Sequence, residues 1–371
     1  MRVLPSDNGD YGQHDLVAHY ADLKPDVCIG LLDVWVLHSP TLSKLPNFTA
    51  WAPVDHNPIP PHVQMRLTEV RYPWAMSRFG YRQMREAGIT DAWYVPHGVD
   101  TKTAFYPMDK AEARAKFGLS NDAFVVTCAA ANKGYPSRKN LPELLKAWGA
   151  FVKVHDDAVL ILHSDPRATL SQLDLVFIAR KYGLTVGKHV LFPEPYMLDK
   201  GGYTAKHLNW MYNAGDVFCL PSAGEGFGIP AMEAQAAGSP VILTNFSAQA
   251  ELVAPGGWLI DVDPFNDWIY TPQLSEQAHV SPGRILKALA MAYEARGDMT
   301  RRVAARTFAE QYDADRVYEK YMRPAIMAQM GADTAEGRTA ARLALREANT
   351  LEPEAQYLAS QGVLVGEAAS D

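Results

Sequence analysis

The chain has 371 residues, 48% of them hydrophobic, and a net charge of −7. That length suits two domains with real cores, and the acidic balance argues against a nucleic-acid partner. Three scattered cysteines give neither a metal spacing nor a disulfide framework. No apolar stretch reaches the ~18 residues of a membrane span, and no basic-then-apolar leader opens the chain. A cytoplasmic protein is the expectation, with peripheral membrane contact left open.

In chain order, the residues before about Val95 read as a small α/β unit. Residues 16–23 have helical character. The run 27–32 is apolar and strand-like, closed by Asp33. A second strand, 48–54, ends in Asp55-His56-Asn57-Pro58. Residues 71–76 make a third strand, 78–87 a helix stopped by Gly88, and 93–95 a last strand before Pro96-His97-Gly98. Open α/β sheets bind ligands at the C-terminal ends of their strands, which makes Asp33, Asp55 and His56 candidates. A turn histidine opening a Pro-rich loop (Pro58, Pro60, Pro61) fits the same letters. His38, His62 and His97 read as surface or packing residues.

From about Lys110, strand and helix alternate regularly, the pattern of a parallel doubly wound sheet. Strands are expected at 123–130, 158–163, 190–192, 216–220, 240–243 and 258–261. Helices are expected at 140–154, 170–182, around 208–212 and at 231–237. The first carries an apolar stripe of Leu141, Leu144, Leu145 and Trp148. The strand ends add Arg138 and Lys139, His163-Ser164-Asp165, and the loop Phe192-Pro193-Glu194-Pro195-Tyr196.

The stretch 221–244 is the most informative. It reads as strand end, glycine loop, helix, tight turn and next strand. Gly224, Gly226 and Gly228 let backbone N–H groups come close to a ligand. Pro230 suits a first helical turn, and Gly238 ends the helix. A helix N-terminus facing a glycine loop is an anion site. Glu225 in the loop and Glu233 on the helix flank it. A carboxylate there does not serve the phosphate; it accepts hydrogen bonds from hydroxyls. The ligand then carries both phosphate and polyol, as a sugar nucleotide does. A plain α/β loop with two solvated glutamates fits the spacing as well.

Helices follow at 285–295, 299–312 and 315–322. Beyond 328 the composition turns to Ala, Glu, Gly and Thr, read as an accessory or disordered tail with a solvated helix at 339–348.

The segment Gly224-Glu225-Gly226-Phe227-Gly228-Ile229-Pro230, with Glu233 eight positions after Glu225 and Ala236-Ala237-Gly238-Ser239-Pro240-Val241 beyond, resembles the Glu-x7-Glu motif of retaining GT-B glycosyltransferases, family 4 (glycosyl transferases group 1). The resemblance covers roughly residues 10–327. It implies an α/β GT-B fold of two Rossmann-like domains facing a cleft: an acceptor-side domain over 1–98 and a nucleotide-sugar domain over 99–312. A helix over 313–327 would return to the first domain, with 328–371 as tail. The implied reaction moves a sugar from a nucleotide-diphosphate donor to a hydroxyl acceptor (glycan, lipid or small molecule), with retention and without metal or other cofactor.

In that family Glu225 would position the donor sugar and Glu233 would bind the ribose hydroxyls. Gly226, Phe227, Gly228 and Ile229 would form the donor loop. Arg138 and Lys139 would stabilise the departing diphosphate. His56 would serve the sugar hydroxyls or the acceptor, and Tyr196 or Phe192 would pack on the nucleobase.

Two departures stand out. Ala131-Asn132 occupy the place of a Gly-Arg pair, leaving the arginine's part vacant or taken by Lys133 or Arg138. Fewer than a hundred residues precede the linker, so the N-terminal domain reads as incomplete: a minimal enzyme, or one completed by upstream sequence or by a partner. A sugar-nucleotide-binding remnant without turnover is the alternative. The Glu-x7-Glu context argues against an epimerase, and no segment resembles the lysine aldimine site of a phosphorylase.

Overall fold

A computed structural model describes residues 3–6, 9–134, 136–168 and 173–331. The tail helix expected at 339–348 lies outside these residues, as does the start of the one expected at 170–182. The chain divides into two units.

Of the described residues, the smaller unit takes 3–6, 9–52, 63–95 and 318–331. Its sheet has four parallel strands in sequential order: β1 (Cys28–Leu31), β2 (Phe48–Ala52), β3 (Tyr72–Ala75) and β4 (Trp93–Tyr94). All of β2 is buried, as a central strand covered on both faces requires. Trp51 meets Trp74 edge-on at 6.2 Å. The Arg78 guanidinium stacks 3.7 Å over the Tyr94 ring, and Tyr321 meets the same ring edge-on at 5.3 Å. Ser77 caps the helix Arg78–Glu86 by accepting the Gly80 N–H at 3.0 Å. Before β1, a turn over Gly9–Gly12 has positive φ at Asp10, Tyr11 and Gly12 and leads into the helix Gln13–Leu23. A cavity of about 540 Å3 opens there, lined by Ser6, Tyr11, Gly12, Leu32, Asp33 and Val36.

The larger unit takes 53–62 and 96–317. Its sheet is wholly parallel, in the spatial order Trp258–Ile260, Val241–Thr244, Val217–Leu220, Phe124–Ala129, Ala158–His163, Val190–Leu191. The strands are β5 (Phe124–Ala129), β6 (Ala158–His163), β7 (Val190–Leu191), β8 (Val217–Leu220), β9 (Val241–Thr244) and β10 (Trp258–Ile260). Every residue of β5, β8 and β9 is buried, which explains their unbroken apolar runs. The chain winds outward from β5 to β7, then returns to lay β8 beside β5 and winds the other way. The loops after β5 and β8 therefore flank the switch point, where open α/β sheets hold ligands.

The helix Leu141–Phe151 buries the expected stripe, and Trp148 donates to His189 O at 2.8 Å. The helix Met299–Ala309 packs on the motif helix Ile229–Ala236, and Arg306 donates to the Ala236 carbonyl at 2.8 Å, filling an open acceptor at that helix end. Residues 98–101 are laced to 312–314: Val99 N–H donates to Tyr312 O at 2.8 Å, and Thr101 Oγ1 to Asp313 Oδ2 at 2.6 Å.

One element was not expected. Residues β11 (Trp268–Thr271) and β12 (Ser275–Ala278) form an antiparallel hairpin after β10. It holds the segment 53–62: Asn57 N–H donates to Glu276 O at 3.1 Å, and Ser275 Oγ donates to Pro58 O. The Asp55-His56 turn, read from sequence as part of the N-terminal domain, thus belongs to the larger unit.

Candidate active site

The site is built from three strand-end loops and the segment 53–62, all within the larger unit. Asn140, in the left-handed region at φ 50°, ends the loop after β5 and donates through Nδ2 to Pro221 O at 2.8 Å. Ala223 N–H donates to Arg138 O at 2.7 Å. The loop after β9 adds Ser247, whose Oγ accepts the Glu225 N–H at 2.9 Å, and Gln249, which donates to Ser222 O at 2.9 Å. These bonds hold the glycine loop by its backbone.

The glycines are needed for close approach. A Cβ at Gly224 would lie 2.2 Å from Asp55 O, and one at Gly226 would lie 2.3 Å from Pro53 Cβ. Gly228 has φ 119° and caps the motif helix without any side-chain hydrogen bond. In the first turn the Ala231 N–H donates to Gly228 O at 3.0 Å, Pro230 has no N–H to satisfy, and Ile229 opens the helix exposed.

Around this loop sits a chain of charges. Lys139 Nζ pairs directly with Glu225 Oε1. Arg138 lies 3.5 Å from Glu225 Oε2, donates to Gly224 O at 2.6 Å and to Asp55 Oδ2 at 3.2 Å. Asp55 Oδ1 is 2.6 Å from His56 Nδ1. A carboxylate only accepts, so Nδ1 carries a proton. Burial alone would raise the Glu225 carboxyl, but Lys139 and Arg138 outweigh it and hold it below the usual range. Asp55 is likewise held low: burial is overcome by the His56 hydrogen bond and the Arg138 charge.

Glu233 lies in a different setting. It lines a cavity of about 570 Å3 with Pro230, Tyr212, His163, Ser164 and Asp165. Among the described residues no cation pairs with it; Tyr212 Oη donates to Oε2 at 2.8 Å. Burial therefore prevails and raises its pKa. The motif thus holds one carboxylate ionised beside two cations and one carboxylate in a drier pocket with a hydroxyl donor. No group of three or more His, Cys, Asp or Glu suited to a metal ion occurs among the described residues.

The profile of the glycosyl transferases group 1 family matches residues 124–270, which span β5 to β10 and both glutamates. The larger unit carries a group 1 glycosyltransferase domain. Among the curated relatives, the D-inositol 3-phosphate glycosyltransferase of Rhodococcus jostii (strain RHA1) is 30% identical over 243 residues, covering 63% of this chain and 48% of the relative. The lipopolysaccharide core biosynthesis mannosyltransferase LpsB of Rhizobium meliloti (strain 1021) is 29% identical over 171 residues, 43% of this chain and 42% of the relative. The chain spans about half the length, or less, of the curated relatives it matches. Among solved structures, sucrose-phosphate synthase from Thermosynechococcus elongatus aligns with TM-score 0.60 at 18% identity, over 91% of this chain and 81% of that one. WaaG, a glycosyltransferase involved in lipopolysaccharide biosynthesis, aligns with TM-score 0.59 at 16% identity, over 86% and 84%. At such identities the likeness concerns the fold, which is GT-B with Rossmann-like domains.

Within the glycosyltransferase domain, Glu225, Arg138, Lys139 and His56 are brought together. Asn132, in the place of the family's arginine, is a tie: its Nδ2 donates to Asp165 O at 3.0 Å and Leu173 O at 2.8 Å. Lys133 is exposed, so Arg138 is the guanidinium of this cluster. Phe227 differs from its expected part. Its ring is buried against His97 at 5.3 Å and Tyr312 at 5.9 Å, so what this position offers a ligand is backbone. His97 is a packing residue as expected, its pKa lowered by burial to about 4. Tyr196 is 66% exposed on the short helix Pro195–Asp199 and does not line the Glu233 cavity.

Sequence reasoning missed Tyr212, Ser247, Gln249 and Gln277. Gln277 Nε2 donates to Asp55 O at 3.3 Å. Ser247 follows β9, so the strand-end rule pointed toward it. Gln277 had no such signal, because Ser275–Ala278 lacks an apolar run.

Proposed function

We propose that the protein is a retaining glycosyltransferase moving a sugar from a nucleotide-diphosphate donor to a hydroxyl acceptor. The observation that carries this reading is the asymmetric pair of carboxylates about the motif helix: Glu225 between Lys139 and Arg138, Glu233 in the cavity beyond Pro230. The diphosphate would sit at the helix N-terminus, where the dipole contributes about 0.3–1 kcal/mol toward an anion. Arg138 and Lys139 would take up the charge that grows as the diphosphate leaves. Glu225 would then accept from donor-sugar hydroxyls, and Glu233 from the ribose.

The acceptor hydroxyl attacks the anomeric carbon on the face the diphosphate leaves. The C–O bond to phosphate breaks, the new glycosidic bond forms, and the acceptor proton passes to the departing phosphate. No dedicated base and no metal enter this scheme. His56 Nε2 would hydrogen-bond a sugar or acceptor hydroxyl. The cavity beside Asp33 is the acceptor-side candidate of the smaller unit.

The test is transfer from UDP-, GDP- and ADP-sugars to a panel of hydroxyl acceptors, starting with D-inositol 3-phosphate, the acceptor named for the Rhodococcus relative. A product with the donor's anomeric configuration, lost in Glu225→Ala and Glu233→Ala, supports the proposal. Transfer with inversion overturns retention. Nucleotide binding without any product favours a binding protein.

A further inference from the structure

Glu233 meets the protein through one oxygen. Tyr212 Oη donates to Oε2 at 2.8 Å, and Oε1 has no hydrogen-bond partner among the described residues. Both residues line the same cavity of about 570 Å3.

Tyr212 is not a passing neighbour. It is fully buried, with its ring 6.0 Å from Phe105 and 5.8 Å from Phe218. The next residue, Asn213, is bolted to the linker: Nδ2 donates to Tyr106 O at 3.0 Å, and Oδ1 accepts the Met108 N–H at 2.7 Å. A phenol so held cannot follow the carboxylate if it turns. Burial beside Glu233 also keeps the phenol protonated, so it has a proton to donate to the carboxylate.

We infer that Tyr212 is a positioning residue for the ribose diol: its hydroxyl fixes the plane of the Glu233 carboxylate, so that Oε1 and the outer lone pair of Oε2 meet the two ribose hydroxyls. The inference rests on the donor-site reading above and goes beyond it by assigning a residue outside the Glu-x7-Glu motif. A carboxylate has about four acceptor positions. With one filled by a fixed donor, the remaining ones have set directions, and a ribose cis-diol offers two donors to one carboxylate. Loss of the phenol hydroxyl removes the anchor but neither the charge nor the cavity. The damage therefore falls on hydroxyl recognition, while Arg138 and Lys139, which pair with Glu225 instead, keep the diphosphate.

The experiment is calorimetry on the full chain with UDP, GDP and ADP and with the 2′,3′-dideoxy counterpart of each, for wild type and Tyr212→Phe. Phenylalanine keeps the ring and nearly the volume, so packing is preserved. For the ribonucleotide that binds best, Tyr212→Phe is expected to lose about ten-fold in affinity. For its dideoxy counterpart the loss is expected to stay within about two-fold, and in a Glu233→Ala background Tyr212→Phe is expected to add nothing. Equal losses on both ligands would assign Tyr212 a purely structural part and overturn the inference. So would a wild type that prefers the ribonucleotide with Tyr212→Phe unaffected, leaving the donor site standing. A folded wild type that binds none of the six overturns the donor site and this inference together.

Discussion

The Arg138 guanidinium stands 3.2 Å from Asp55 Oδ2, although 83 residues separate the two in sequence. The other oxygen of the same carboxylate takes the His56 Nδ1 proton at 2.6 Å. One side chain thus aims both the cation and the imidazole of the site. Asp55→Asn would leave the fold and both groups present but loosely aimed. Transfer kcat is expected to fall about a hundred-fold, the cost of a small misplacement of reacting groups, with nucleotide affinity changed far less. An unchanged kcat would remove Asp55 from the machinery.

Glu225 and Asp55 give the protein an acid-side sensitivity. Both are held below their ordinary pKa, where burial is outweighed by Lys139, Arg138 and His56. A depressed carboxyl contributes stability that is complete above its unfolded value and fades as pH drops through the folded one. Unfolding temperatures measured from pH 7 to pH 3 should therefore decline below the usual carboxylate range. Glu225→Gln is expected to be less stable at pH 7, by about 1–3 kcal/mol, and to have a flatter acid limb. Parallel limbs for variant and wild type would contradict the ion-pair account.

Glu233 predicts the opposite sign. Burial raises its pKa and the Tyr212 hydrogen bond offsets this only in part. The fold favours its neutral form, a contribution present at low pH and lost as pH rises through the raised value. Glu233→Gln keeps an acceptor for Tyr212 and removes the buried charge. It should raise the melting temperature at pH 7.5 while weakening UDP, GDP or ADP binding by about ten-fold or more. A drop in melting temperature would show the charge to be stabilising after all.

The glycine loop offers a purely steric test. A Cβ at Gly226 would sit 2.3 Å from Pro53 Cβ and 2.8 Å from Pro53 Cα. Backbone must shift, so Gly226→Ala is expected to cost about 1–3 kcal/mol in urea unfolding and to abolish transfer. At Gly118 an added Cβ meets nothing within 4 Å, but its φ of 65° still strains alanine. Comparing the two variants separates crowding from backbone strain: the Gly226 variant should lose activity and the Gly118 variant keep it.

Much of the larger unit was legible because buried parallel strands must be apolar along their whole length. The strand 158–163 has the expected ends, and β5, β8 and β9 differ from expectation by a residue or two. The hairpin Trp268–Ala278 was illegible for the converse reason: β12 reads Ser-Glu-Gln-Ala and its burial comes from neighbours distant in sequence. Tyr212 looked like one more helical aromatic, since nothing local says which way a phenol points.

By itself the sequence determined the alternation of strand and helix, the glycine loop at a strand end and the Glu225 to Glu233 spacing. Each follows from local chemistry: backbone freedom at glycine, capping at Pro230 and Gly238, and apolar runs long enough for a strand. Tertiary structure alone decided which charges meet. It joined residues 53–62 to the larger unit, set Arg138 rather than Lys133 beside Glu225, turned Phe227 into the core and gave Glu233 a phenol instead of a cation. Those pairings depend on strand order and on loops crossing at the switch point, and a side chain's charge acts over a few ångströms of space regardless of its distance along the chain.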